Sequence, residues 1–331
     1  MFQVSVITPV YNAATTVQRA VESAVDLPEV GEILLIDDAG PDNALAICRD
    51  LEARYEKVRL LRHADHGNHG AGASRNLGIE HARYPFIAFL DADDYYMPNR
   101  FVRDREILTS DPTIDAVYGG TGIDYEDDAA RKRFHTAGFA YQEFTTLSGA
   151  VPSEDLFAVL FHQHPTVKGE FHTDAITIRK SLLDRVGGFH PDLRLQQDIH
   201  LWRRLAAVGR IEAGNINEPV AIRGVHSRNR MTDLAEHEKY HRLWWDSLGK
   251  EFRKLRIAKK KFEIFRKARA SYLVDQGGKA EAATAIFSVL LSQPSLLFES
   301  NGFFDQNLLA LTRRHRFALR ILSAKNRLFA R

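Results

Sequence analysis

Three carboxylates follow directly after an apolar segment in the stretch PFIAFLDADDYY, residues 85–96. The apolar residues 86–90 predict a buried strand, and Asp91, Asp93 and Asp94 come next. In open α/β sheets, ligands bind beyond the carboxyl ends of the strands, where these acids would lie. Mg²⁺ takes one or two carboxylates and fills its shell with water and phosphate oxygens, so the spacing suits a metal–phosphate site. Clustered buried charge is costly without a partner, which favours this chemistry over a plain polar turn.

The elements that would position these acids are alternating strands and helices. Apolar runs predict three earlier strands, near residues 2–8, 32–37 and 58–62, with helices and glycine-rich sequence between them. This alternation predicts an α/β fold with a mostly parallel central sheet and helices on both faces. From residue 233 onward the pattern is helical, so we predict a catalytic domain over residues 1–230 and an all-helical, basic extension over residues 231–331.

Three local predictions are more specific. Residues 13–26 show helical spacing, with Asn12 as the N-cap. The charged segment 126–133 predicts a loop, and residues 171–178 predict a strand.

Length and composition indicate an ordinary globular protein. The chain has 331 residues, 44% hydrophobic and 27% charged, and no apolar run reaches the roughly 20 residues that span a bilayer. Its first residues, MFQVSVITPV, predict a strand rather than a secretory signal. The single cysteine, Cys48, excludes an internal disulfide and fits a reducing compartment. We therefore expect a cytoplasmic protein.

Charge is distributed unevenly along the chain. Residues 250–331 contain 18 Lys and Arg against 6 Asp and Glu, whereas the remainder contains 27 basic and 37 acidic residues. The last predicted helix, residues 307–328, places arginines beside apolar positions. Such a helix can lie on an anionic membrane, which would put the protein at the inner membrane face, or pack on its own domain with a solvated basic face. No nucleic-acid recognition motif accompanies the charge, so we expect no nucleic-acid partner.

Four motifs resemble, in order and spacing, the inverting family 2 glycosyltransferases of the GT-A fold. They are TPVYN (8–12), IDDAGPD (36–42), GAGASRNLGI (70–79) and FLDADD (89–94). The similarity continues through VGGF (186–189), QD (197–198) and RGVH (223–226). The resemblance implies a hexosyl- or N-acetylhexosaminyl-transferase of polysaccharide biosynthesis. It would move sugar from a nucleotide-diphosphate donor, with UDP-sugar favoured, to a hydroxyl of a glycan or lipid-linked acceptor, assisted by Mn²⁺ or Mg²⁺.

The resemblance also implies a donor site. Tyr11 would lie on the base, although capping of the sheet edge remains an equal alternative. Asp38 would accept the imide N–H of uracil or thymine, and Arg75 would bind pyrophosphate oxygens in a bidentate way. Asp91 would contact the ribose or complete the outer shell of the metal. The full set of predicted donor-binding residues is Pro9, Tyr11, Asp38, Arg75, Asp91 and Ala92.

Metal and base complete the predicted site. Asp93 is the expected metal ligand, and the neutral imidazole of His226 would join it. Asp198 matches the family's catalytic base, which removes the proton of the acceptor hydroxyl. Its alternative role is that of an acid stabilised at a helix N-terminus. Gln197 stands where the family carries Glu, a departure that removes a negative charge next to the base.

Two other functions compete with this one. A sugar-phosphate nucleotidyltransferase would share a similar sheet, but it would carry a glycine-rich signature where TPVYN stands. A catalytically degenerate nucleotide-sugar-binding or scaffold protein would tolerate Gln197, and it would bind UDP without turnover.

Overall fold

The computed structural model describes residues 2–136, 144–226, 234–275 and 279–292. The chain divides into two compact units. The first comprises Met1–Leu160 and His164–Leu255, and the second comprises Phe161–Gln163 and Arg256–Arg331. The division after Leu255 falls later than the boundary at residue 230 that the sequence pattern indicates, because one further helix belongs to the first unit.

The first unit is built on a seven-stranded sheet. In chain order its strands and those of a smaller sheet are β1 (Val4–Val10), β2 (Val30–Asp37), β3 (Val58–Arg62), β4 (Phe86–Phe89), β5 (Tyr95–Tyr96), β6 (Ala116–Tyr118), β7 (Gly120–Tyr125), β8 (Phe144–Thr145), β9 (Ile176–Arg179), β10 (Ile211–Ala213) and β11 (Pro219–Val225). The large sheet has the order β10-β6-β9-β4-β1-β2-β3, and β5-β11-β7-β8 form the smaller sheet. In the large sheet β9 runs antiparallel to both neighbours and the other pairs are parallel. The predicted mostly parallel sheet is confirmed.

Helices cover both faces of the large sheet, as predicted. The helices of the first unit are α1 (Val17–Val25), α2 (Ala44–Arg54), α3 (Ala71–His81), α4 (Val102–Ser110), α5 (Asp128–Thr136), α6 (Ser153–Leu160), α7 (Lys180–Val186), α8 (Gln197–Val208) and α9 (Leu234–Lys254). Successive strand residues point to opposite faces. Val6 of β1 is buried in the cluster that includes Val21 of α1, whereas Ile7 meets Gly78 of α3.

The second unit contains the described helices α10 (Lys259–Asp275) and α11 (Lys279–Ser292). They confirm the helical character of the C-terminal part. The predicted basic helix over residues 307–328 lies outside the described residues. Among the helices that the structure describes, none has the length and apolar composition needed to cross a bilayer.

Three local predictions were wrong. Helix α1 begins at Val17 rather than near residue 13, and Asn12 has a φ of 52° instead of an N-cap conformation. The supposed charged loop 126–133 contains the start of α5, because Asp127 accepts the N–H of Ala130 (2.6 Å) and starts the helix. The segment predicted as a strand over 171–178 opens instead with a 3-10 turn at Thr173–Ala175, and only then enters β9.

Candidate active site

The carboxyl ends of neighbouring parallel strands bring the sequence motifs to one edge of the sheet. β1 lies between β2 and β4 and is parallel to both. The TPVYN motif, the two acids at the end of β2 and the carboxylate loop, residues 91–94, therefore share this edge. Ala92, within this loop, is buried in the core. Tyr11 is 44% exposed, and Pro9 pairs with Ile36 of β2.

Each acid of the carboxylate loop has a different partner. Asp91 Oδ1 accepts a hydrogen bond from Arg75 (2.5 Å). Asp93 Oδ2 lies 3.0 Å from Nε2 of His226. Asp94 is buried and accepts the N–H of Gly224 (2.8 Å). The loop is therefore fixed on one side by α3 and on the other by the end of β11.

Asp93 and His226 supply a donor set that fits a divalent cation. They face a cavity of about 290 Å³, which is lined by Thr15, Thr16, Arg19, Asp93, Asp124, Glu126, Gly224, Val225 and His226. Both side chains keep some exposure, 33% for Asp93 and 17% for His226. One carboxylate oxygen and one imidazole nitrogen at this distance match the ligands that Mn²⁺-like ions take in proteins. The two residues predicted as metal ligands are thus adjacent.

Arg75 connects the carboxylate loop to the start of α8. Its guanidinium is 5% exposed, pairs with Asp91 and lies 5.3 Å from the ring of Phe189. Burial by itself would lower the pKa of Arg75, but the charges of Asp91 and then of Asp198 outweigh burial and raise it. Arg75 thus joins the predicted donor-binding loop, through Asp91, to Phe189 in the turn that leads toward the predicted base.

The start of α8 packs directly against the start of α3. Gln197 is 9% exposed, and its Oε1 lies 2.2 Å from the position that a Cβ on Gly72 would occupy. A side chain at residue 72 would displace the Gln197 amide from this position. Asp198 is the next residue, is partly exposed, and accepts the N–H of Ile199 (2.8 Å). Gln197 thus acts as a packing residue between the two helices.

Two side chains that the sequence reasoning missed hold the turn before α8. Asn76 donates to the carbonyl of Phe189 (2.9 Å) and accepts its N–H (2.7 Å). Arg204 donates to the carbonyls of Val186 (3.0 Å), Gly187 (2.9 Å) and Gly188 (2.5 Å). The RN pair at residues 75–76 was a usable signal for Asn76, whereas Arg204 had none because it contacts main-chain oxygens only.

Asp38 is engaged within the protein. It is 2% exposed, and its carboxylate accepts the N–H of His69 (2.7 Å), the N–H of Gly70 (2.9 Å) and the side-chain amide of Asn68 (3.0 Å). The acid therefore shapes the loop that leads into α3. Its predicted contact with a base remains a prediction, as do the roles of Pro9 and Tyr11 at the same edge.

Asp174, also missed from the sequence, lies beneath the carboxylate loop. It is fully buried, and its Oδ1 accepts the N–H of Asp91 (2.9 Å). Burial and the charge of Asp174 raise the pKa of Asp94 well above its usual range. The pKa of Asp174 itself is lowered, because His172 and a hydrogen bond with Asp94 outweigh the opposing effect of burial. A single acid before an apolar strand gave no sequence signal for this arrangement.

Comparison with known proteins places the site in a family context. The family model described as "Glycosyl transferase family 2" matches residues 5–184. The succinoglycan biosynthesis protein ExoU of Rhizobium meliloti is 28% identical over 213 residues, which cover 62% of this chain and 57% of the relative. An uncharacterized glycosyltransferase of Rickettsia felis is 25% identical over 248 residues, covering 74% of this chain and 38% of the relative. The match thus spans only part of each relative's length.

Two solved structures share the fold. S. aureus TarS 1–349 in complex with UDP-GlcNAc matches with a TM-score of 0.59 and 16% identity, over 93% of this chain and 81% of that chain. The mannosyltransferase PcManGT from Pyrobaculum calidifontis, in complex with GDP-Man and Mn²⁺, matches with a TM-score of 0.50 and 20% identity, over 99% of this chain and 78% of that chain. The fold is of the GT-A type, as the sequence motifs implied.

Proposed function

Since the chain belongs to glycosyl transferase family 2, we propose that it is an inverting glycosyltransferase that uses a nucleotide-diphosphate sugar. One observation carries the proposal: Gln197, the residue before Asp198, packs against Gly72 at the start of α3, and Arg75 of the same helix pairs with Asp91. A donor bound at the carboxylate loop would thus present its sugar toward Asp198. A binding or scaffold protein would not need a carboxylate at that position.

The chemistry assigned to Asp198 is general-base catalysis. The acceptor hydroxyl attacks the anomeric carbon of the donor sugar, and a new C–O bond forms as the bond to the diphosphate oxygen breaks. Asp198 takes the hydroxyl proton during this step. A single displacement from the opposite face inverts the anomeric configuration. Asp198 suits this role because it is partly exposed and accepts one hydrogen bond, from its own helix, within the described chain.

The chemistry assigned to Asp93 and His226 is metal binding. Their 3.0 Å separation and shared cavity support the assignment. A divalent cation held there would neutralise the charge that develops on the leaving diphosphate. Arg75 adds a permanent positive charge at the α3 side of the same loop, where it pairs with Asp91.

The donor and the acceptor are proposed by class. Both solved structures named above hold a nucleotide or nucleotide sugar, with UDP-GlcNAc in one and GDP-Man with Mn²⁺ in the other. We favour a UDP-sugar, the class of donor that the TarS complex holds; Asp38 would pair with the imide N–H of its base by exchanging one of its hydrogen bonds to the loop at residues 68–70. The relative from Rhizobium meliloti is named for succinoglycan biosynthesis, which supports a hydroxyl of a glycan or lipid-linked sugar as the acceptor.

Donor screening tests the proposal. Thermal shift with UDP-, GDP- and dTDP-sugars, with and without Mn²⁺, is expected to show metal-dependent stabilisation by one nucleotide class. Release of the nucleoside diphosphate from that donor, with and without glycan acceptors, is then measured for the wild type and for Asp198→Asn. Metal-dependent binding without turnover by any acceptor or by water would instead support the scaffold function.

A further inference from the structure

Asp174 is a buried carboxylate that the proposed reaction does not use directly. We propose that Asp174 is a positioning residue: it holds the carboxylate loop so that Asp93 can bind the metal of the donor complex. The inference rests on the proposed metal-assisted function. It adds a residue outside the motifs named above, 80 positions along the chain from the loop that it supports.

The first support is main-chain geometry. Asp174 Oδ1 accepts the N–H of Asp91 (2.9 Å), which is the first residue of the carboxylate loop. Because a buried N–H without a partner is costly, this bond fixes where the chain turns as it leaves β4. The loop then closes with a hydrogen bond from the N–H of Asp94 to the carbonyl of Asp91 (3.0 Å).

The second support is a contact with the other end of the loop. A carboxylate oxygen of Asp94 lies within 4.8 Å of one of Asp174, and Oδ1 of Asp94 accepts the N–H of Gly224 (2.8 Å). Asp174 thus binds Asp91 and lies beside Asp94, and Asp93, the proposed metal ligand, lies between these two residues in the chain. Gly224 is two residues before His226, so the same network also reaches the strand that carries the second predicted metal ligand.

The third support is the rigidity of Asp174 itself. Its carbonyl accepts a hydrogen bond from Nε of Arg100 (2.7 Å), and Arg100 also binds the carbonyl of Ile176 (2.9 Å). The arginine side chain is fully buried. Asp174 lies in the 3-10 turn that precedes β9. Because β9 pairs with β4 in the antiparallel direction, the start of β9, and Asp174 with it, lies beside the end of β4. Partners of this kind, which orient metal ligands from behind, are worth about 10- to 100-fold in metal affinity.

A second metal site is the competing interpretation. Ligand atoms of Asp94, His172 and Asp174 lie within 4.8 Å of one another. However, Asp174 Oδ1 is bound to the N–H of Asp91, and its Oδ2 lies 3.1 Å from Nδ1 of His172. Asp94 Oδ1 is bound to the N–H of Gly224. One oxygen of each carboxylate is thus already bonded to a main-chain N–H, which supports the positioning role, and the stoichiometry of Mn²⁺ binding distinguishes it from a second ion.

The experiment is titration calorimetry of the full chain with Mn²⁺ in the presence of UDP, which reports affinity and binding stoichiometry separately. Asp174→Ala removes the support, and Asp174→Asn keeps an oxygen for the N–H of Asp91. We expect one Mn²⁺ per chain, with affinity lower by about 100-fold in the alanine variant and about 10-fold in the asparagine variant. If the alanine variant does not fold, the asparagine variant carries the test.

The matched control is Glu32→Gln. Glu32 is another buried carboxylate that accepts a loop N–H, that of Arg83 (2.7 Å), but it lies near the start of β2, away from the site. The Glu32→Gln substitution should leave the Mn²⁺ affinity unchanged even if it lowers the melting temperature of the protein.

The outcomes separate the two ideas. If Asp174 has a purely structural role, its variants will bind fewer Mn²⁺ per chain, because part of the protein is misfolded, but with unchanged affinity. That result would overturn the inference. Two Mn²⁺ per wild-type chain, one of them lost in the Asp174 variants, would overturn it in favour of the second site. A wild-type protein that binds UDP no better with Mn²⁺ would instead refute the metal site of the proposed function.

Discussion

The proposed donor side and the proposed acceptor side of the site are held in different ways. The proposed donor side consists of Arg75, Asp91, Asp94 and Asp174: Arg75 pairs with Asp91, Asp174 accepts the N–H of Asp91, and Asp94 accepts the N–H of Gly224. On the acceptor side, Asp198 accepts one hydrogen bond, from the next N–H of its own helix, and forms no ion pair within the described part of the chain. A donor side that is fixed in advance can receive a charged ligand without reorganising. An open acid on the acceptor side keeps lone pairs available for an incoming hydroxyl.

The strongest test of this contrast is Asp198→Asn. An amide cannot accept the hydroxyl proton, so we expect transfer to fall by about 10²- to 10⁴-fold. Donor affinity should stay at its wild-type value, because the residues of the donor side keep their contacts. Initial rates of transfer and calorimetric titration with donor and Mn²⁺ measure the two quantities. Full activity in the variant would show that the base has been wrongly assigned.

The second test addresses the donor side through Asp93→Ala. Loss of a direct metal ligand should weaken Mn²⁺-dependent donor binding by about 100-fold or more, because even outer partners of ligands are worth about 10- to 100-fold. Asp124→Ala is the control, since Asp124 lines the same cavity but is paired with Arg19 at 3.5 Å. An equal loss in both variants would mean that the cavity attracts cations by its overall charge and has no specific ligand.

The third test concerns the junction of the two sides, where Asn76 of α3 binds both main-chain groups of Phe189. Asn76→Ala leaves these groups without their partner, so the free energy of unfolding should fall by about 1–3 kcal/mol. The turnover rate should fall as well, because the turn leads toward Asp198. Denaturant titration and initial rates measure both effects.

Asn215→Ala is the control for this junction. Its side chain also accepts a main-chain N–H, that of Glu218 (3.2 Å), but in an exposed turn after β10, three strands from β4 in the large sheet. A change within about 0.5 kcal/mol is expected there. If the two substitutions change stability and turnover equally, the hydrogen bonds between Asn76 and the main chain of Phe189 have no special role in the site.

The same contrast explains what the sequence could and could not predict. Strands, sheet type and the motif loops follow from apolar runs and local turn chemistry, so the positions of Asp91, Asp93 and Asp198 were predictable from short windows. Asp174 was not, because its partners Asp91 and Asp94 lie about 80 positions away and meet it only through the antiparallel insertion of β9. Helix α5 was missed because its polar composition hides two buried residues, Ala130 and Phe134.

The smallest expected effect is a loss of unfolding free energy in acid. It arises at His200 in α8, the helix that also contains Asp198. His200 of α8 is fully buried, and its Nε2 bonds to Oγ of Ser247 on α9 (2.9 Å). Burial, followed by the charge of Arg204, lowers its pKa well below the usual range. The native state thus keeps His200 neutral, while the unfolded chain binds a proton below about pH 6.5. Stability is therefore lost as the pH falls below that value.

The magnitude and the control follow from that linkage. Between pH 7.0 and 5.5, His200 should remove about 1 kcal/mol of unfolding free energy. His200→Gln can still donate to Ser247 but does not titrate, so its stability should fall less over the same range. Denaturant unfolding at both pH values measures the difference, with His81→Gln, at an exposed position, as the control. If the wild type and the His200 variant lose the same unfolding free energy between pH 7.0 and 5.5, another group is responsible for the acid sensitivity. The prediction for His200 would then be wrong.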